Sequence, residues 1–198
     1  ELNVPDVQLH FVAGGGGGND GPNKFNMNPG QWGTEGDAHT ENPCYVLVIL
    51  LHPRSIGSIT LNSGRPHDQP AINPRYLEDE HDVTVLTEGV RVAQGVMSEP
   101  AIKPLLRKET TFDSEALAGN NPHEEGSDEY LAQFVRNRAI TVYHPVGTCK
   151  MGNASDADPL RVVDEFLRVR GVTGLRVADC SVMPSLPSGN TNAPAIMV

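Results

Sequence analysis

The sequence predicts a mixed α/β (α+β) fold, and three observations carry that prediction. Cys44 to Leu51 is short and apolar throughout, the pattern of a central strand buried on both faces. Leu77, Val83, Leu86, Val90 and Met97 recur at spacings near three, four and seven, the stripe of an amphipathic helix. After Arg138 the composition shifts to short β-rich runs broken by glycines and ending in polar turns. The 198 residues leave room for one large domain or a little more. The shift divides the chain into a mixed part, 1–138, and a strand-and-turn part, 139–198.

In order, Val7 to Val12 sets Val7, Leu9 and Phe11 against Gln8 and His10, which predicts a half-buried strand. Ala13 to His39 opens with five consecutive glycines, and a glycine run invites a phosphate-loop reading. The Gly-x-Gly-x-x-Gly pattern fails, because from Gly14 its last position is Asn19 and nothing helical follows, with Pro22, Pro29 and Gly30 in the way. A long mobile loop, of the kind that serves as a lid, is the expectation. Cys44 to Leu51 and Gly57 to Leu61 are expected to form a hairpin through His52–Ile56. Pro66, Pro70 and Pro74 then keep 64–74 extended.

The helix is expected from Tyr76 to Met97 despite Gly89 and Gly95, its start crowded by Glu78, Asp79, Glu80 and Asp82 as the helix dipole favours. Ile102 to Leu106 extends it beyond Pro100, and 110–126 is turn-rich. Ser127-Asp128-Glu129 opens a second helix with Tyr130, Leu131, Phe134 and Val135 on one face. Ala139 to Tyr143, Leu160 to Asp164, Leu167 to Val169 and Leu175 to Val177 read as short strands.

Composition narrows the function. The net charge is −10 and the 15 Lys and Arg residues form no run, which disfavours nucleic acid and anionic membranes as partners. No apolar run approaches the roughly 20 residues of a bilayer span. Cys44, Cys149 and Cys180 are odd in number and widely spaced, so they support neither a disulfide framework nor a metal site and fix no redox compartment. The opening Glu1-Leu2-Asn3-Val4 and the apolar run ending at Val198, right after a helix-start signal, lead us to expect a fragment of a longer chain.

Polar chemistry concentrates in two turns, Tyr143 to Gly152 and Ala178 to Pro194. In the first, Pro145 holds His144 extended and Gly147 permits close backbone approach. A histidine titrates near neutrality, as a general base must. In the second, Asn192-Ala193-Pro194 reads as a helix start with Asn192 as N-cap. Its free N–H groups favour an anion: a substrate carboxylate, a phosphate, or the edge of a reduced flavin, and the residues do not choose among them. Asp179 reads equally well as a turn residue or a functional one. Cys149 lies five residues from His144, but a Cys–His nucleophile lacks an identifiable orienting group. No Gly-x-Ser-x-Gly elbow is present.

Tyr143-His144-Pro145-Val146-Gly147-Thr148-Cys149-Lys150-Met151-Gly152, with Asp158-Pro159-Leu160-Arg161-Val162-Val163-Asp164 after it, resembles the glucose–methanol–choline (GMC) oxidoreductases. So does Gly171 to Pro184, running on to Ser188-Gly189-Asn190-Thr191-Asn192-Ala193-Pro194, with wording nearest to choline-dehydrogenase-like members. The resemblance implies FAD-dependent oxidation of an alcohol to an aldehyde or ketone. It makes 1–138 part of a substrate-binding domain, and 139–198 the return of the chain into an incomplete, Rossmann-like FAD-binding domain. His144 would take the hydroxyl proton as hydride passes to flavin N5, and Asn190 would hydrogen-bond the alcohol oxygen. Asp179 and Cys180 fall near the FAD ribityl and pyrophosphate, and Asn192 and Ala193 at the flavin O2 edge. Whether the electron acceptor is O2, as in an oxidase, stays open, as does an inert binding module. The family's N-terminal Gly-rich turn is not among these residues, so they alone are expected to bind FAD weakly or not at all.

Overall fold

The structure, a computed structural model, describes residues 4–13, 44–105, 121–153 and 158–198. The glycine-run loop and most of 110–126 therefore lie outside the described residues. The chain forms two compact units, one of Val7–Leu50 and Val83–Ala139, the other of Glu1–Asp6, Leu51–Asp82 and Ile140–Val198.

In the first unit, β1 (Val7–Ala13) pairs antiparallel with β2 (Cys44–Leu50), in register from Val7↔Leu50 to Ala13↔Cys44. β1 matches its expectation, but β2 is not a central strand, since among the described residues it belongs to a two-stranded sheet. Helix α1 (Glu80–Ser98) begins later than Tyr76. Arg75 and Leu77 have positive φ, 49° and 59°, which no α-helix admits. Asp79 supplies the start instead, its Oδ1 accepting the His81 N–H at 2.9 Å.

Val83, Leu86, Val90, Ala93 and Met97 form the buried stripe of α1. Gly89 lies on it for a steric reason, because a Cβ there would come within 2.6 Å of Val48 Cγ1 and 3.1 Å of Val7 Cγ1. A short 3-10 turn, Lys103–Leu105, stands where a prolonged helix was expected. Helix α2 (Asp128–Arg138) follows its sequence signal, with the Ser127 Oγ accepting the Tyr130 N–H at 3.1 Å. Its buried face holds Tyr130, Leu131 and Val135, and Arg91 of α1 pairs with Asp128.

In the second unit, β3 (Ser58–Thr60) pairs not with β2 but with β4 (Ala71–Asn73), so the expected hairpin is not formed. The connection that would have been its turn is captured by Asp82, 1% exposed, whose carboxylate accepts the N–H groups of Arg54 and Ser55 at 2.8 and 2.9 Å. Ala139 to Tyr143 is not a strand: Ile140, Val142 and Tyr143 are exposed, and Tyr143 turns the chain at φ 64°. The other three β runs make only isolated bridges, Met151↔Val163, Val163↔Val169 and Arg168↔Arg176. Positive φ at Leu167, Gly171 and Gly174 turns the chain too often for a ladder to grow. Val163, Val182 and Met183 are buried in this unit. Among the described residues no helix is long and apolar enough to cross a membrane.

Candidate active site

The first polar turn is shaped by backbone restriction. Tyr143 occupies the left-handed region, and its N–H donates to Thr141 Oγ1 at 3.0 Å. A non-glycine residue there costs about 1–2 kcal/mol, so the surrounding bonds must over-determine it. Gly147, at φ 89°, takes the left-handed conformation that favours glycine, while a Cβ there would meet the Met183 carbonyl only at an ordinary contact distance of 3.6 Å.

The two turns are bound together along their backbones. The N–H groups of Cys149 and Met151 donate to the carbonyls of Ser181 and Val182, at 2.9 and 2.8 Å. The accepting segment is the 3-10 turn Cys180–Val182, capped by Asp179, whose Oδ1 accepts the Ser181 N–H at 2.8 Å. Bonds from the Ser181 hydroxyl and N–H hold the Asp179 carboxyl below the usual carboxylate range. Asp179 is exposed and Cys180 half-buried. On the other flank, Lys150 meets Asp158 at 2.6 Å and lowers its pKa.

Helix α3 (Asn192–Met197) has Thr191, not Asn192, as its N-cap. Its first ladder bond runs from the Ala195 N–H to the Thr191 carbonyl at 2.9 Å, which makes Asn192 and Ala193 the first two residues of the helix. Thr191 makes no side-chain cap. Its Oγ1 instead lies 2.8 Å from His144 Nδ1. Thr191 is 5% exposed and His144 half-buried. Thus His144 is joined to the Asn190–Ala193 stretch through a residue that sequence reasoning passed over. Asn190, Asn192 and Ala193 are exposed around it.

A second histidine also went unremarked. His52 Nε2 lies 3.3 Å from the Ser188 Oγ, two residues before Asn190. Its signal was the His-Pro dipeptide, which recurs at His52-Pro53 and His144-Pro145. For Thr191 the signal was weaker: a threonine caps a helix nearly as well as an asparagine, so Asn-Thr-Asn admits three N-caps. Among the described residues no group of three or more His, Cys, Asp or Glu could hold a metal ion. The arrangement joins an imidazole, engaged at Nδ1, to a turn carrying an exposed amide and the first N–H groups of α3. Such a set can remove a proton and donate hydrogen bonds to the oxygen that loses it.

This chain belongs to the GMC oxidoreductase family, whose model matches residues 53–198. GMC oxidoreductases are FAD flavoproteins. The chain is 36% identical to an alcohol dehydrogenase [acceptor] of Pseudomonas putida over 198 residues, all of this chain and 31% of that protein. It is 36% identical to mitochondrial choline dehydrogenase of Mus musculus over 195 residues, 98% of this chain and 28% of that one. A formate oxidase of Aspergillus oryzae, solved in work on its FAD modification, superposes with a TM-score of 0.63 at 27% identity, covering 81% of this chain and 26% of its own. The chain thus spans under a third of the length of each.

Proposed function

We propose that this chain is the C-terminal, base-bearing part of an FAD-dependent oxidoreductase that oxidises the CH–OH group of an alcohol to an aldehyde or ketone. The observation that carries the reading is the 2.8 Å approach of Thr191 Oγ1 to His144 Nδ1, which joins the two polar turns. In this reading 139–198 supplies the flavin-facing groups and 1–138 belongs to the substrate-binding domain.

The donor set fits a flavin. The N–H groups of Asn192 and Ala193 lie within the first turn of α3, where a helix offers no acceptor. They suit the electron-rich carbonyl edge of an isoalloxazine ring. Asp179, held ionised by Ser181, is an acceptor suited to ribityl hydroxyls, with Cys180 beside it. A bound FAD would supply the hydride acceptor for the carbinol carbon. His144 takes the hydroxyl proton at Nε2, and the Asn190 amide donates to the alcohol oxygen as negative charge develops there.

The alcohol dehydrogenase and choline dehydrogenase relatives support a dehydrogenase acting on a choline-like alcohol. The likeness to formate oxidase supports a second reading, an oxidase that passes electrons to O2. Peroxide release measured against reduction of an artificial acceptor separates the two. The base assignment is tested by His144→Ala in the flavin-loaded protein that carries this chain. Turnover is expected to fall roughly 10²- to 10⁴-fold with the flavin retained. Near-normal turnover would remove the role.

A further inference from the structure

We propose that Thr191 sets the tautomer of His144, its hydroxyl accepting the Nδ1–H so that the Nε2 lone pair stays free for the substrate proton. The proposal rests on the reading of His144 as the base and adds to it the residue that makes the base competent.

A neutral imidazole carries a single N–H, and its place is set by the bond made at the other nitrogen. Were the Thr191 hydroxyl to donate to Nδ1, the proton would sit on Nε2, and that nitrogen could take no other. With Thr191 as acceptor, the same bond serves the neutral ring and the protonated one, and nothing need rotate as the proton arrives.

Three features of the structure place Thr191 in this role. The Oγ1–Nδ1 separation is 2.8 Å, and Thr191 is 5% exposed, so water competes little for the bond. Its backbone is fixed by the ladder bond from Ala195, which ties the hydroxyl to the rigid start of α3. Its backbone angles, φ −79° and ψ −2°, are not the extended ones of a capping residue, and its side chain makes no cap bond to α3. The hydroxyl is directed to His144 in place of its usual local partner. A neutral hydroxyl orients the ring without adding a negative charge, so the ring can release the proton again after each turnover. Thr191 is therefore a positioning residue, acting through His144.

The test uses the flavin-loaded protein labelled with ¹⁵N-histidine. The ring signals of His144 are those lost in His144→Gln. In the neutral ring of the wild type, Nδ1 is expected to be the protonated nitrogen and Nε2 the bare one. Thr191→Val keeps the shape and removes the hydroxyl. It should shift the tautomer balance toward Nε2–H and lower kcat about tenfold or more, with KM little changed. That is well short of the ~10⁴ lost with a charged orienting partner in serine proteases. Thr191→Ser should restore both readouts. A wild-type ring protonated at Nε2 overturns the proposal, as does Thr191→Val with unchanged tautomer and kcat. Unchanged turnover in His144→Gln would instead sink the base reading while leaving the tautomer measurement intact. Should Thr191→Val fail to fold, the wild-type spectrum and the Ser variant decide.

Discussion

The unit built on β1, β2, most of α1 and α2 and the stretch from 140 to 198 keep their shapes by different means. In the first, side chains recur at the helical period and are buried together: Val83, Leu86, Val90, Ala93 and Met97 on α1, and Tyr130, Leu131 and Val135 on α2. In the second, chain segments are pinned bond by bond. Cys149 donates to Ser181, Met151 to Val182, Gly152 to Val163, Val169 to Leu175 and Val177 to Leu167. Burial is non-directional and makes a stable platform. Directional bonds between turns fix individual side chains in place, which a reacting group requires.

The sharpest way to break this comparison is to exchange its outcomes. His144→Ala should cut turnover by the two or more orders of magnitude given above, yet move unfolding only by about 1–2 kcal/mol, the cost of an unpaired Thr191 hydroxyl. Leu131→Ala should do the reverse. Leu131 is 1% exposed in α2, and its truncation should cost about 2–5 kcal/mol in denaturant unfolding. Residual folded protein should turn over normally. If each variant loses both properties, platform and site are not separable in this way.

The same contrast accounts for what could be read from the sequence. The helices were legible because a buried stripe needs a period and a cap, and both stand in the residues themselves. Ser127 fixed the start of α2, whereas α1 was read as starting at Tyr76 because nothing in Arg75 or Leu77 announces a positive φ. The pairing of strands was not legible. A β-rich run states no partner, and the capture of Arg54 and Ser55 by Asp82 is a contact across 27 or 28 residues that no local pattern records. In the 140–198 stretch, apolar triplets imitated strands, although the bonds between them stop at isolated bridges. The polar residues there were found by kind, His144, Asn190 and Asp179 among them. Thr191, which joins the turns, was hidden by its ordinary chemistry.

Two glycines of α1 sharpen the packing side of the argument. Gly89→Ala would place a Cβ 2.6 Å from Val48 Cγ1, on a β-branched side chain with little freedom to move. Overpacking of this kind costs about 1–3 kcal/mol, and the helix gains only about 0.5–1 kcal/mol from losing a glycine. Net destabilisation of up to about 2.5 kcal/mol is expected. Gly95 has nothing within 4 Å of its Cβ position, so Gly95→Ala should stabilise by about 0.5–1 kcal/mol. Chemical denaturation of the two variants checks the pair, and a shift in the same direction for both would refute the close-approach explanation of Gly89.

The smallest expected effect belongs to the pinned stretch and depends on pH. The Ser181 hydroxyl and N–H hold the folded Asp179 below its unfolded pKa of about 4. A depressed pKa means that the folded state binds the proton less readily than the unfolded state. The contribution is therefore fully present above about pH 4 and is lost as pH falls through the lower, folded value. Asp179 is exposed, so the effect is small and weakens further with salt. Its reach is larger than its energy, because the turn it caps supplies the carbonyls that accept from Cys149 and Met151 and so hold the turn bearing His144. Unfolding of wild type and Asp179→Asn, compared between pH 7 and pH 3 at low ionic strength, should show a gap at neutral pH that narrows below about pH 4. A gap constant across that range would mean that the carboxylate charge contributes nothing and that the turn is held by its backbone bonds alone.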